Sequence, residues 1–156
     1  MGSLEPAAPW EGYEYLGRRT REDILEALPN GWGFEGKAVL DFGCGAGRTL
    51  RHFTEEARSC ELWGCDIDAA SIAWLEEHLC PPLRVFQNAP DPPLPHPDGK
   101  FDLIWAVSVF THLTDTWSRW LLELRRVLAD DGLLYVTFMG RGTCEDIAGE
   151  TWEVDN

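Results

Sequence analysis

The sequence predicts an α/β protein in which a parallel sheet carries helices on both faces. Short apolar runs typical of buried strands alternate with longer segments whose apolar residues recur at helical spacing. A glycine-rich segment, residues 43–47, joins the first apolar run to the helical segment that follows it. The 156 residues, 44% of them hydrophobic, suffice for one domain with a sizeable core. Alternating strands and helices favour right-handed crossovers and a single parallel sheet.

Each predicted strand is a short apolar run closed by turn residues. Seven of the ten prolines fall within residues 81–99, so most of that stretch is expected to be a loop beside the third strand. The predicted strands span residues 38–40, 62–67, 83–86, 101–110 and 133–138.

The predicted helices carry apolar side chains on one face. Thr20 with Asp23 forms a capping-box pattern that begins the first helix, and Asp68 is a suitable N-cap for the third. The last helix has the clearest apolar stripe, which places Trp117 and Trp120 in the core. The predicted helices span residues 20–28, 48–57, 69–79 and 114–128.

Composition excludes several classes of function. The formal net charge of −14 repels phosphate backbones, which disfavours sequence-independent binding to nucleic acid or anionic membranes. The chain has no apolar run of membrane-spanning length, and its first residues do not resemble a signal peptide. The five cysteines form no C-x-x-C pair, which argues against a disulfide framework and a zinc site. We therefore expect a soluble, cytoplasmic protein without a metal site.

The glycine-rich segment is the most informative motif. Gly43, Gly45 and Gly47 follow a buried strand, where glycines let the backbone turn sharply and approach a ligand closely. The dinucleotide fingerprint would need glycine at position 48, and Arg48 stands there. Asp41, two residues before the first glycine, suits a ligand with an ammonium group better than a pyrophosphate. The alternative is a purely architectural turn.

A second acidic residue lies at the end of the second predicted strand. Asp66 stands 19 residues beyond Gly47, in the position from which a carboxylate can accept both hydroxyls of a ribose. The alternative is a solvated acid at a strand end.

Taken together, the motifs resemble those of the class I S-adenosylmethionine-dependent methyltransferases, and most closely the small-molecule type. The resemblance covers residues 38–139 and rests on residues 41–47, Asp66 with Asp68, residues 101–104 and the helix end at 124–132. It implies a Rossmann-like fold, S-adenosyl-L-methionine as cofactor, S-adenosyl-L-homocysteine as product and a small-molecule acceptor.

The resemblance also implies roles for individual positions. The loop would hold the methionine part of the cofactor, with Asp41 at its ammonium group. Asp66 would bind the ribose, and Ile67, Asn88 and the backbone N–H of Ala89 would contact the adenine. Asn88 stands where the family usually has an acid, and its amide oxygen can still accept a hydrogen bond. The implied cofactor-binding residues are Asp41, Gly43, Cys44, Gly45, Gly47, Asp66, Ile67, Asn88, Ala89 and Ala106.

Methyl transfer to a hydroxyl or ammonium group requires a base, and His112 is the candidate catalytic residue. It follows the fourth strand, beside the expected position of the methyl group. The alternative is that His112 caps or packs the following helix. His96, in the proline-rich loop, is a weaker candidate for the pocket.

Two departures from the family pattern affect the expected architecture. Residues 129–132 form a turn where the family more often has proline-glycine-glycine. The family sheet continues into two further strands, whereas residues 140–156 resemble an acidic tail. The sequence thus predicts a fold that lacks the last two strands, with an exposed sheet edge open to self-association.

The predicted organisation has three parts. Residues 1–19 form an N-terminal segment and candidate lid that carries the aromatic residues Trp10, Tyr13 and Tyr15. Residues 20–139 form the methyltransferase core, and residues 140–156 form a tail cut short. The alternative function is a non-catalytic S-adenosylmethionine-binding module or an inactive fragment of a longer methyltransferase. Nucleotide-dependent oxidoreduction has little support because of Arg48.

Overall fold

The computed structural model describes residues 9–113 and 115–138. Five parallel strands form one sheet in the order β3-β2-β1-β4-β5, which confirms the predicted fold class. The strands are β1 (Ala38–Phe42), β2 (Glu61–Asp66), β3 (Arg84–Gln87), β4 (Phe101–Ala106) and β5 (Leu128–Val136).

Within residues 9–113 and 115–138, three α-helices and two short 3₁₀ turns connect and cover the strands. The helices are α1 (Pro9–Ala27), α2 (Ala69–Leu79) and α3 (Trp117–Val127), and the 3₁₀ turns are Leu50–Phe53 and Glu56–Arg58. Asp68 caps α2 as predicted, since its carboxylate accepts hydrogen bonds from the N–H groups of Ala70 and Ser71. Within the described residues, no helix is both long and apolar enough to cross a membrane.

Each face of the sheet has its own apolar core. Side chains of β1 and β4 alternate between the two, because successive residues of a strand point to opposite faces. Leu40 and Ile104 pack with α3, whereas Val39 and Trp105 pack beneath α1 and α2. The central strands are thus buried on both faces, so a ligand can reach them only at the strand ends.

Helix α1 begins eleven residues before the predicted start at Thr20, so the capping-box prediction is wrong. The first two turns lack an apolar stripe and are held by tertiary contacts instead. Gly17 lies so close to the glycine-rich loop that a Cβ would stand 2.1 Å from the carbonyl oxygen of Arg48. Arg51 pairs with Glu14 at 3.0 Å. The division of the chain at residue 19 stays a prediction.

The helix predicted over residues 48–57 is also wrong, because the structure has only the two 3₁₀ turns there. The Arg51 side chain donates hydrogen bonds to two backbone carbonyl oxygens of the preceding loop, Ala46 O at 3.0 Å and Gly47 O at 3.0 Å. Ala46 O is therefore taken by a side chain rather than by a helical N–H. Trp117, predicted in the core, begins α3 and is 47% exposed.

Strand β5 starts earlier than predicted and is irregular. Leu128 pairs with Phe101 and Leu133 pairs with Leu103, so the predicted turn residues 129–132 bulge out between the two pairs. Within the described sheet β5 is an edge strand, and self-association through it stays a prediction. The predicted tail, residues 140–156, and the question of two further strands lie outside the described residues, as do Thr114 and residues 1–8.

Candidate functional site

Two adjoining cavities lie at the carboxyl ends of β1, β2 and β4. The larger, about 660 Å³, is lined by residues that include Asp66, Ile67, Asn88 and Trp120. The smaller, about 400 Å³, is lined by the glycine-rich loop together with Tyr13, Asp41 and Arg48. Three residues line both: Gly43, Ser108 and His112. Parallel sheets place ligand sites at this edge, at the point where the strand order reverses.

The loop between the cavities needs its glycines. Gly43 has φ +77°, and a Cβ there would stand 2.3 Å from Val109 Cγ2. Gly47 has φ +76° and packs against Leu75 of α2, so it supports the loop without lining either cavity. The N–H groups of Gly43 and Cys44 both donate to Cys65 O, at 2.8 and 2.9 Å, which fastens the loop to β2.

Asp66 connects the loop with the start of α2. Its Oδ2 accepts the N–H of Gly45 at 2.7 Å, and its Oδ1 accepts the N–H of Asp68 at 2.9 Å. Two backbone donors therefore fix the carboxylate at the wall of the larger cavity. Each oxygen keeps a lone pair, so the group can accept two further hydrogen bonds from a diol.

Asp41 is the buried acid of the smaller cavity. It is only 3% exposed, and its Oδ2 has no hydrogen-bond partner among the described residues. Burial raises the pKa of Asp41 to about 7. The indole N–H of Trp105 lies beside the carboxyl without meeting hydrogen-bond geometry and opposes this rise, as does the charge of Arg48, whereas the negative charge of Asp66 adds to it. A buried acceptor without a partner is costly, and a ligand that brings a cation would satisfy it.

Asn88 and Ile67 contribute an amide oxygen and an exposed apolar side chain to the larger cavity. Asn88 is buried, and its side-chain amide donates to Ala89 O at 2.8 Å, which leaves Oδ1 free to accept. Ile67 is 59% exposed and lines the cavity. Ala89 lines neither cavity; it contributes the carbonyl that orients Asn88.

The loop after β4 forms the boundary shared by both cavities. Ser108 has φ 60°, a strained value for a residue other than glycine, and its N–H donates to Thr137 Oγ1 at 2.8 Å. His112 is exposed and reaches both cavities, and α3 begins only after Thr116, so His112 does not cap it. Ala106, by contrast, is fully buried in the core and does not line either cavity.

Helix α1 covers the smaller cavity. Tyr13 lines it, and the guanidinium of Arg51 lies 5.1 Å from the centre of the Tyr13 ring. Burial raises the pKa of the Tyr13 hydroxyl, so the phenol stays protonated at neutral pH. The role of residues 1–19 as a lid stays a prediction.

Residues 40–134 match the model of a family described as methyltransferase domain. That match covers β2, β3 and β4, parts of β1 and β5, the glycine-rich loop and the two acids described above. The chain belongs to the class I S-adenosylmethionine-dependent methyltransferases. The resemblance inferred from the motifs is therefore confirmed, and the family's cofactor is S-adenosylmethionine.

Individual relatives agree with this family. The chain is 32% identical over 142 residues to malonyl-[acyl-carrier protein] O-methyltransferase from Geobacter sulfurreducens, covering 90% of this chain and 52% of the relative. It is similar in fold to an S-adenosylmethionine-dependent methyltransferase from Aquifex aeolicus, with TM-score 0.64, 20% identity, and coverage of 79% of this chain and 71% of that one. The chain spans about half the length of the curated relatives it matches.

A third relative is known with its ligands. Phosphoethanolamine N-methyltransferase 1 of Haemonchus contortus, in complex with phosphoethanolamine and S-adenosylhomocysteine, superposes with TM-score 0.61 at 25% identity. The similarity covers 79% of this chain and 26% of that one. The family members matched here thus differ in the acceptor that they methylate.

The structure gathers most of the predicted site residues around the two cavities. Those that line a cavity are Asp41, Gly43, Cys44, Gly45, Asp66, Ile67, Asn88 and His112, whereas Gly47, Ala89 and Ala106 do not. Sequence reasoning used Arg48 only to reject a dinucleotide and assigned Trp120 to the core, yet both line a cavity. The sequence did offer a signal for Arg48, since a cationic residue directly follows the glycine-rich loop and lies close in sequence to Asp41.

Proposed function

We propose that this protein binds S-adenosylmethionine across the two cavities and transfers its methyl group to a small-molecule acceptor. The observation that carries the proposal is that two acids with different environments lie at the same edge of the sheet. Asp66 is held as a hydrogen-bond acceptor at the larger cavity, and Asp41 is buried without a partner at the smaller one. An adenosine needs the first and an ammonium group needs the second.

The residues present fit this ligand in order. The adenine would lie between Ile67 and Asn88, where the free Oδ1 can accept the exocyclic amino group. The ribose hydroxyls would donate to Asp66. The methionine part would follow the loop into the smaller cavity, with its ammonium group at Asp41 and its carboxylate at Arg48. The sulfur would then lie at the boundary, near Ser108 and His112.

The chemistry asks little of the protein beyond alignment. The sulfonium supplies an activated methyl group, so the transfer is an in-line displacement that depends on orientation and exclusion of water. Tyr13 on α1 lines the smaller cavity, and the loop after β4 lines the boundary between the two cavities. His112 would take the proton of a hydroxyl or ammonium acceptor.

Several matched relatives are named for acceptors with large apolar parts or acyl groups, among them 2-methyl-6-phytyl-1,4-hydroquinone and fatty acid. The larger cavity here also has apolar side chains in its wall, including Phe42, Val109 and Leu113. We therefore expect an acceptor with a sizeable apolar part. Separately, we keep the expectation from the sequence that the protein works in the cytoplasm.

Calorimetric titration tests the proposal. S-adenosylmethionine and S-adenosylhomocysteine should bind with micromolar dissociation constants, and NAD should not bind. Asp66→Ala should weaken both ligands by about 1–3 kcal/mol, the range for unpairing hydrogen bonds to a charged group. Asp131→Ala, at an exposed acid away from the cavities, is the matched control. Binding without transfer to any acceptor would favour the alternative of a non-catalytic module, and a folded protein that binds neither ligand would refute the proposal.

A further inference from the structure

The segment that follows β3 forms one wall of the larger cavity. Asn88, Pro90 and Asp91 of this segment line the cavity together with Asp66 and Ile67, and the N–H of Asn88 donates to Asp66 O at 3.1 Å. Residues 90–97 contain five prolines, which have no N–H, so the segment can make few hydrogen bonds of its own. Its conformation must therefore be set by contacts from elsewhere in the fold.

Two residues of helix α3 supply those contacts: the buried Glu123 and the half-buried Arg126. Glu123 is only 7% exposed and accepts the N–H of Leu94 at 2.7 Å. Arg126 donates to both carboxylate oxygens of Glu123, at 2.9 and 2.6 Å. The same guanidinium donates to the carbonyls of Leu94 at 3.2 Å and His96 at 2.9 Å. The Glu123–Arg126 ion pair thus binds one backbone N–H group and two backbone carbonyl groups of the segment.

Trp120 extends this attachment to the cavity itself. Its indole N–H donates to Pro90 O at 3.2 Å, and its ring lines the cavity and packs on Phe42 with centroids 4.8 Å apart. Trp120 and Glu123 lie three residues apart on α3, on the face that meets the segment. The pairing with Arg126 lowers the pKa of Glu123, so the acid is ionised at neutral pH.

We propose that Glu123 and Arg126 are positioning residues for adenine recognition. They fix the segment after β3 so that Asn88 presents its Oδ1, and not its amide N–H, to the ring. This inference rests on the proposed function. With the segment held, Ala89 O accepts the Asn88 amide N–H, and a ring with a carbonyl in place of the amino group would meet an acceptor. With the segment released, the Asn88 side-chain amide can rotate by half a turn. It can then present either its oxygen to an amino group or its N–H to a carbonyl group, so both rings can bind.

The test compares two ligands. One is S-adenosylhomocysteine, and the other is its analogue with hypoxanthine in place of adenine. The wild-type protein should bind the adenine form about tenfold more tightly or better, because the analogue leaves a buried acceptor unpaired. In Glu123→Gln, which keeps the shape of the side chain and loses the charge that holds Arg126, the ratio should fall to about threefold or less. Glu77→Gln, at an exposed helical position, should keep the wild-type ratio.

A second variant keeps the inference testable if Glu123→Gln does not fold. Trp120→Phe retains the aromatic ring and removes the N–H that binds Pro90 O, so it should also lower the ratio. A merely structural role would weaken both ligands equally and leave the ratio unchanged, and that result in folded variants would overturn the inference. If the wild-type protein binds neither ligand, the proposed function itself fails.

Discussion

The buried acid Asp41 predicts that cofactor binding depends on pH. The pKa of Asp41 is raised to about 7 by burial, so in the free protein the side chain is mostly protonated below pH 7. An ammonium group beside it would favour the carboxylate. Binding should therefore release a proton from Asp41 at low pH, and the apparent affinity should rise as the pH increases.

The size of this effect follows from the pKa. With a pKa near 7 in the free protein and a much lower one in the complex, the dissociation constant should be about tenfold larger at pH 6 than at pH 8, or about 1.4 kcal/mol. Titration of S-adenosylhomocysteine in buffers of different ionisation enthalpy should show release of about 0.9 proton from Asp41 at pH 6 and about 0.1 at pH 8.

Asp41→Asn is the control, because it cannot titrate and the amino group of the ligand titrates equally with both proteins. The variant should bind less tightly at pH 8, by about tenfold or more, and should lose the additional pH dependence. It should also be more stable than the wild-type protein at pH 8, since an acid with a raised pKa destabilises the fold once ionised. Wild-type binding with the same pH dependence as that of the variant would refute the reasoning.

Three further perturbations test other parts of the account. Gly43→Ala should lower the free energy of unfolding by about 1–2 kcal/mol because of its positive φ, and the clash with Val109 should lower it further. Urea unfolding measures the effect. Gly33→Ala is the control, because nothing lies near the added methyl group there. His112→Ala should leave the affinity for S-adenosylhomocysteine unchanged and lower transfer to a hydroxyl acceptor about 10²-fold or more; loss of affinity would show that its position is misassigned. Burial lowers the pKa of His96, so this residue should destabilise the fold increasingly as the pH drops below about 6.5. The free energy of unfolding of His96→Phe, relative to that of the wild-type protein, should therefore rise between pH 7.5 and 5.5, and a constant difference would contradict this.

The sheet was predictable from sequence because its strands are buried on both faces. Residues 38–42 and 101–106 are short and mostly apolar, which is typical of buried strands, and the structure places them at the centre of the sheet. Helix α1 was only partly predictable. Its early part is held by the ion pair of Glu14 with Arg51 and by the close approach of Gly17 to the backbone at Arg48, partners far away in sequence, so local periodicity carried no signal there.

The candidate site divides in the same way. Asp66 and Gly43 follow from local rules, because a strand end and a sharp turn demand particular residue types in a short motif. Trp120 looked like an ordinary core residue, and only the tertiary packing shows that its ring borders a cavity. The contacts of Glu123 were equally hidden, since a helical Glu-x-x-Arg pattern usually indicates a solvated ion pair.

A crystal structure of the protein with S-adenosylhomocysteine would test the central claim most directly. The account predicts the ribose hydroxyls on Asp66, the ammonium group at Asp41 and the sulfur at the boundary beside Ser108 and His112. A ligand bound elsewhere, or bound with its ribose away from Asp66, would contradict it.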